Sequence, residues 1–534
     1  MNLLDWMIVF FYLAGMIALS VYLGKNQNNN QDYYLGGKQM PWWAIGLSTM
    51  ATQCSTNSLL GAPAFVAFAI GGGMVWLQYE IAVPLAMIFL MIFLLPFYRR
   101  ANVISIYEYL EDRFGPVTRT LLSLVFQFMR AFSTGVTVYG ISLVLAKLVN
   151  IPFWAGVVLL GLVTIIYDSI GGMKAVVYSD VIQMIVLYGG IAIAIGYAVK
   201  MVGGWGAVWE NFDPQRRIAL DFSSWGFQTK NPHTFWPLFF GCLFLYISYY
   251  GCDQTQVQRE LSAANEDDTN LSLTFNGFVR FPLVLTYCFL GACIAAFAKL
   301  NPNFIHTFPL TKEGTPNINM AVPMFVLQYL PHGIIGLVMI ALFAAAMSSL
   351  DSTINSLSAT TMRDIYQRFI NPQLSGKKEF LWGKIFTIFW GTICCLFSFF
   401  VGSISESIIE SIAKIGSLMN GPILGAFVLG ILIKRSNGQG AVSGVIGGLV
   451  LNIYLWLYQP QISFWWWNVF GCLGTIIIGW LISFLFPPPP ITKIENLIYS
   501  KKFRTQIKYK INWYPVYWLL FLWTIAIIGI IAIF

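Results

Sequence analysis

Long uninterrupted apolar blocks constrain this chain more than any motif does. One runs from Leu85 to Phe97, others from Ile185 to Val199 and from Trp518 to Phe534. A helix needs about 20 mostly apolar residues to cross ~30 Å of hydrocarbon. Inside that layer each backbone polar group must be satisfied within its own helix or in a closed barrel. These runs are too long and too continuous for barrel strands, so the expected fold is all-α and integral to a membrane. Charge agrees. Only 10% of the 534 residues are charged, against about 25% in soluble domains, too few to coat a water-facing surface. The first apolar run, Leu3 to Leu23, lacks a basic leader region and a small-residue cleavage site, and reads as a retained helix.

About fourteen spans are predicted, at 3–24, 41–70, 74–97, 117–148, 153–169, 179–201, 233–251, 272–298, 332–361, 382–403, 407–433, 439–458, 463–486 and 515–534. The net charge of +8 invites a nucleic-acid reading. The basic residues sit mostly in short loops, however, which is the membrane orientation signal. With the N-terminus outside, about 19 of them fall in inner loops and about 7 in outer ones. An even number of spans then returns the C-terminus to the outside of the cell membrane. The eight cysteines show no Cys-x-x-Cys spacing, and the three histidines are scattered at span edges. Neither a zinc site nor a disulfide framework is expected.

Two predicted spans are interrupted. Pro41 to Ile70 contains the polar stretch Ala51 to Ser58, then Gly61 and Pro63. Asn231 to Gly251 carries Pro237, Gly241 and a Tyr-Ile-Ser-Tyr-Tyr run. One such helix is as readily a packing kink. Two, five spans apart, favour a transporter built from a five-plus-five inverted repeat, with its binding site at the interruptions. Charges inside spans need a partner or a cavity. Glu80, Arg130, Asp180, Arg280, Asp351 and Lys414 are the candidates. Arg130 is assigned to structural pairing. Asp351 stands in Ala344-Ala345-Ala346-Met347-Ser348-Ser349-Leu350-Asp351-Ser352-Thr353. Small residues there admit a neighbouring helix, and the hydroxyls of Ser348, Ser349, Ser352 and Thr353 are hard oxygen ligands suited to sodium. Serines that merely join helices by hydrogen bonds are common and are the better reading of the hydroxyls alone; the adjacent carboxylate, together with the resemblance that follows, favours a cation.

Several segments together resemble the sodium/solute symporter family of sugar, sialic acid, proline, monocarboxylate, vitamin and iodide carriers. They are Tyr33-Tyr34-Leu35-Gly36-Gly37-Lys38 with Pro41-Trp42-Trp43, Ile106 to Leu110, Tyr167 to Ala175, Asp253 to Arg259, and Ser348 to Asn355. The resemblance runs from about residue 1 to 435. Asp168 departs from it, standing where the signature has a small residue. Its expected place is the inner membrane edge, where it does little harm. The resemblance implies the leucine-transporter fold. An extra helix and inner loop (1–40) precede a ten-helix transport core (41–435), and three C-terminal helices follow (436–534). It also implies a sodium site from the carbonyls of Ala51, Cys54 and Ala345 and the hydroxyls of Ser348 and Ser349. A second sodium site would use Asp180 with Ser349, Ser352 and Asp351.

For the solute, the polar stretch Gln53, Ser55, Thr56 and Ser58 is expected to make contact, with Gln78, Glu80, Tyr246, Tyr249, Arg280 and Lys414. Tyr246 and Ala413 replace an asparagine and a glutamine of the sugar carriers, which weakens a sugar reading. Arg280 and Lys414 favour an anion, and Glu80 would cancel one of them. Leu60 to Ala64 and Asn420-Gly421-Pro422 resemble the carboxylate and vitamin branch. The expected activity is sodium-driven symport of a small organic anion, with a sugar as the alternative. The expected partners are sodium, the solute and the bilayer, with no nucleic acid and no second copy. A membrane enzyme would show a histidine or paired carboxylates facing a cavity, and a channel a repeated filter motif. Neither is seen.

Overall fold

The apolar blocks form helices, the arrangement that satisfies their backbone away from water. The computed structural model describes residues 1–534 apart from 26, 28, 55, 229, 230, 312, 313, 401–407, 501, 502, 504, 505 and 508, and the backbone alone of 56, 57, 147–149 and 408–412. Among the described residues there is no β-strand. In chain order the long elements are α1 (Leu3–Gly24), α2 (Trp42–Gln53), α3 (Thr56–Phe68), α4 (Met74–Ala101), α5 (Pro116–Val149), α6 (Phe153–Val202), α7 (Phe235–Gly251) and α8 (Gln254–Glu260). They continue with α9 (Glu266–Leu300), α10 (Ile334–Ile370), α11 (Gly376–Phe397), α12 (Ile408–Leu432), α13 (Gly438–Tyr458), α14 (Trp466–Ser483) and α15 (Tyr514–Ile531). Among the described residues eleven helices are long and apolar enough to cross a bilayer. Their outward faces leave large apolar side chains uncovered, such as Phe10 and Phe11 on α1 and Trp518 and Leu519 on α15. That is the surface hydrocarbon requires.

Two helices are interrupted. α2 stops at Cys54, whose backbone (φ −82°, ψ 60°) leaves the helical region, and α3 resumes at Thr56. α7 and α8 meet at 60°. There Cys252 leaves the helical region and Asp253 is extended, its side chain capping Thr255 N at 2.8 Å. The sequence suggested Pro237 and Gly241 as the second interruption, yet α7 runs straight through both. Pro237 is the third residue of α7, where a backbone N–H has no intrahelical acceptor to lose. Gly241 serves a close approach instead: a Cβ there would meet the Trp465 carbonyl oxygen at 2.4 Å.

The predicted spans 153–169 and 179–201, with an inner loop between, are one 50-residue helical run, α6. At 1.5 Å per residue it holds roughly 75 Å of helix, about two and a half times a bilayer's hydrocarbon. It turns at Gly172 alone (φ 54°, ψ −156°). The predicted loop is therefore a single-residue corner, and Asp168, expected at the membrane edge, is fully buried. α10 lies at the centre, buried along nearly all its length. Its small residues admit α2, α5 and α6, and α1 covers α6 and α10 from outside.

Candidate functional site

The interruption after α2 exposes carbonyls that a continuous helix would have used, and α10 meets them with hydroxyls. Ser348 Oγ lies 3.1 Å from the Ala51 carbonyl oxygen and 3.2 Å from that of Ala345. Ser349 Oγ lies 3.3 Å from the Thr52 carbonyl and 3.4 Å from that of Ala345. Each hydroxyl has one proton to donate and two acceptors in reach. Oxygen lone pairs therefore outnumber donors at this crossing, the donor set of a hard cation. Ala51, Ala345, Ser348 and Ser349 come together as expected from the sequence, and the Thr52 carbonyl joins them. Cys54 occupies the interruption itself, with its Sγ accepting from Arg280 NH1 at 2.9 Å.

One turn along α10 is an acidic cluster. Asp180 Oδ2 accepts from Ser48 Oγ at 2.6 Å and from Arg259 NH2 at 3.2 Å. Arg259 also donates to Ser48 Oγ at 2.7 Å and to Ser352 Oγ. Ser352 Oγ reaches Asp351 Oδ1 at 3.0 Å, and Tyr167 donates its hydroxyl to Asp351 Oδ2. Asp168 accepts from Asn355 at 3.2 Å. Asp168, Asp180 and Asp351 are all fully buried, and Arg259 engages only Asp180 of the three by an ion pair among the described residues. Asp180 Oδ1 and Asp168 Oδ2 have no hydrogen-bond partner among the described residues.

Beside both clusters is a cavity of about 170 Å³. Thr52, Gln53 and Ser58 form its wall on the interrupted helix, and Ser349 and Thr353 on α10. Glu80, Tyr249 and Arg280 reach it as the sequence suggested. Arg280 pairs with Glu80 through Nε at 3.0 Å and NH2 at 3.2 Å. Three expected residues do not line the cavity. Tyr246 stands behind Glu80, donating its hydroxyl to Oε1 at 3.0 Å. Gln78 is engaged by the loop before α7, donating to the His233 carbonyl at 3.1 Å and accepting from Asp221 N at 3.0 Å. Lys414 is exposed, its Nζ 5.7 Å from the Phe464 ring centroid; it is Ala413, one residue earlier, that reaches the wall. Ser55 and the Thr56 side chain lie outside the described residues.

Arg130, assigned from sequence to structural pairing, lines the cavity. It does pair, with Asp253, and stacks over Tyr249 at 4.9 Å. Ser133, Thr134 and Thr137 line the cavity with it. Positions i, i+3, i+4 and i+7 form one helix face, and that polar stripe in an apolar span was the signal that could have found it. Aromatic Trp76, Tyr79 and Trp465 close the wall.

The family model described as "Sodium:solute symporter family" matches residues 33–448. The chain belongs to the sodium:solute symporter family. The symporter is 29% identical to a sodium/sialic acid symporter of Proteus mirabilis, over 92% of this chain and 97% of that one. It is 27% identical to the mouse (Mus musculus) sodium-coupled monocarboxylate transporter 2, over 94% and 89%. It superimposes on the substrate-bound, outward-open structure of a Na+-coupled sialic acid symporter with a TM-score of 0.80 and 28% identity, covering 91% of this chain and 99% of that one. The nucleobase-cation symporter Mhp1 shares the fold, at a TM-score of 0.51 and 12% identity. The chain is thus a sodium-coupled membrane symporter of the leucine-transporter type and not an enzyme.

Proposed function

We propose that this symporter carries a small organic anion, held at Arg130 and driven by sodium bound between α2 and α10. The observation that carries this reading is that Thr52 and Ser349 belong at once to the oxygen cluster and to the cavity wall. A cation on that cluster sets the positions of two residues that the solute would touch. Sodium would be ligated by the carbonyls of Ala51, Cys54 and Ala345 and the hydroxyls of Ser348 and Ser349. Both guanidiniums are paired, but Arg280 has all three nitrogens engaged, on Glu80 and on the Cys54 Sγ, whereas Arg130 engages Asp253 through Nε and NH2. The anion therefore belongs at Arg130, a planar fork suited to a carboxylate. The hydroxyl stripe Ser133, Thr134 and Thr137 favours a second reading in which the carried body is a sugar ring, and a sialic acid satisfies both.

A second sodium would sit among Asp180, Ser349, Asp351 and Ser352. The guanidinium of Arg259 already stands there, and Asp180 Oδ1, which no donor reaches among the described residues, is the oxygen left to ligate an ion. The transport core is taken as 41–435, and the chain is read as a monomer. Fourteen crossings with both termini outside agree with the basic inner loops, the corner in α6 and the two interrupted helices. Lys510→Cys should resist a membrane-impermeant maleimide added to intact cells while Gln459→Cys reacts. The reverse pattern would overturn the orientation.

The test of function is uptake into proteoliposomes. An inward sodium gradient should accumulate sialic acid or a short monocarboxylate, and Arg130→Gln should raise the apparent KM about tenfold or more, the cost of one charge-assisted contact. Uptake indifferent to sodium, or an unchanged KM in the variant, would refute the assignment.

A further inference from the structure

Among the described residues the cavity has one wall residue from outside residues 33–448, the stretch matched by the family. Trp465 stands on the loop leading into α14, and every other residue identified on the wall lies at or before Ala413. The seat for Trp465 is built into the sequence. Gly241 on α7 lets the Trp465 backbone approach to where a Cβ would be at 2.4 Å. Its loop is anchored on the outer segment before α7, with Ser463 N donating to the Gly226 carbonyl at 2.7 Å and Ser463 Oγ to that of Pro232 at 2.9 Å. The indole N–H of Trp465 is directed at His233 Nδ1, 3.4 Å away. A buried indole places its polar edge on a partner, and here that partner is the outer segment; the ring, itself fully buried, packs edge-on against Tyr79 and Trp76 and holds them at the wall.

The ring does not stand alone. Tyr79 stacks on Trp76 with centroids 5.2 Å apart and planes at 11°, and Trp465 meets Tyr79 edge-on at 5.2 Å. Three aromatic rings therefore roof the same cavity that Arg130 and the α5 hydroxyls line. The roof lies on the outer side in the topology proposed above. It has no use for a two- or three-carbon anion, which Arg130 and a few hydroxyls would satisfy. It suits a solute whose carboxylate is carried by a larger body with a ring or methylene face to cover.

The geometry points to Trp465 as a specificity-determining residue, through which the accessory helices select organic anions with a bulky, partly apolar body over small monocarboxylates. This rests on the organic-anion reading. It adds that the choice among anions is made by a residue beyond the matched family region.

The experiment compares wild type, Trp465→Phe and Trp465→Ala in proteoliposomes, with labelled sialic acid and labelled lactate at saturating sodium. Wild type should prefer sialic acid. Trp465→Ala should raise its apparent KM about tenfold, the scale of losing the aromatic packing that holds the wall, and leave the lactate KM within about twofold. Trp465→Phe should recover most of the preference. Half-saturating sodium measured without solute should not move in either variant, because the oxygen cluster is untouched. Equal losses for both anions, a fall in maximal rate with KM unchanged, or a wild type that prefers lactate would each overturn the proposal. Should Trp465→Ala fail to insert, Trp465→Phe must still shift the ratio of the two KM values, and a ratio identical to wild type overturns it as well. A wild type that moves neither anion with sodium refutes the organic-anion reading itself, a result separable from the others because no variant is involved.

Discussion

Arg280 and Glu80 bury opposite charges side by side, with 4% and 1% of their side chains exposed. Neither could stay charged there alone. Removing one partner of such a pair leaves an uncompensated charge and costs about 3–5 kcal/mol, while replacing both is often nearly neutral. Arg280→Gln should therefore lower the thermal midpoint in detergent and the yield of inserted protein, and Arg280→Gln with Glu80→Gln should recover both. If the single variant is as stable as wild type, the pair contributes nothing to holding α4 against α9. Read from the sequence, Arg280 looked like a solute ligand and Glu80 its competitor. That Glu80 would cancel one of the cations Arg280 and Lys414 was legible; which one was not, because Glu80 and Arg280 lie 200 positions apart, on α4 and α9. Arg130 was underread for a different reason. Its own neighbours contain no second charge, and the information lay in the hydroxyl residues at helical spacing after it. The residues on α10 were legible because small side chains and hydroxyls gathered in one apolar run serve little besides a close helix crossing and oxygen ligation.

The helices show which sequence signals carry position. α1 begins and ends where predicted, at 3 and 24, and α4 begins at 74. There the apolar run has a sharp border, Asn2 and Lys25 around α1 and Gly71-Gly72-Gly73 before α4. The interruptions are less legible, because a helix breaks where its freed carbonyls find partners on another element, as those of Ala51 and Thr52 do on α10. The corner in α6 is the extreme case, since one residue replaces the expected loop. Gly172 occupies a backbone region open almost only to glycine, and a Cβ there would lie 2.6 Å from Tyr33 Cδ2 and 2.7 Å from its carbonyl oxygen. Tyr33 is fully buried and cannot swing away. Gly172→Ala should cost on the order of 1–3 kcal/mol from the backbone alone, with the clash added, read as a lower thermal midpoint of the purified protein. Gly189→Ala on the same helix, where nothing lies within 4 Å of a new Cβ, should keep the midpoint or raise it slightly, since alanine is the better helix former. Equal midpoints in the two variants would show that the corner tolerates a side chain.

At the scale of the whole molecule, transport needs sodium and solute to favour the same arrangement of helices. The link is physical: Thr52 and Ser349 stand in the oxygen cluster and on the cavity wall, and Ser348 stands in the cluster without lining the wall. Linkage requires each ligand to tighten the other by one common factor, typically 1–3 kcal/mol or about 5- to 150-fold. The serines therefore separate. Ser348→Ala deletes a hydroxyl from the cluster in a residue type that keeps the helix intact. It should raise half-saturating sodium, and enough sodium should restore the wild-type KM for solute. Ser349→Ala removes a cluster oxygen and a cavity contact together, so its solute KM should stay high even at saturating sodium. Asp180→Asn lies in the acidic cluster, off the cavity wall. It should change the number of sodium ions moved per solute, read from the reversal potential of coupled transport, if a second ion binds there. Uptake measured over a matrix of sodium and solute concentrations distinguishes the three. If both serine variants keep the wild-type sodium dependence, the driving ion binds elsewhere and the crossing of α2 with α10 is only a helix contact.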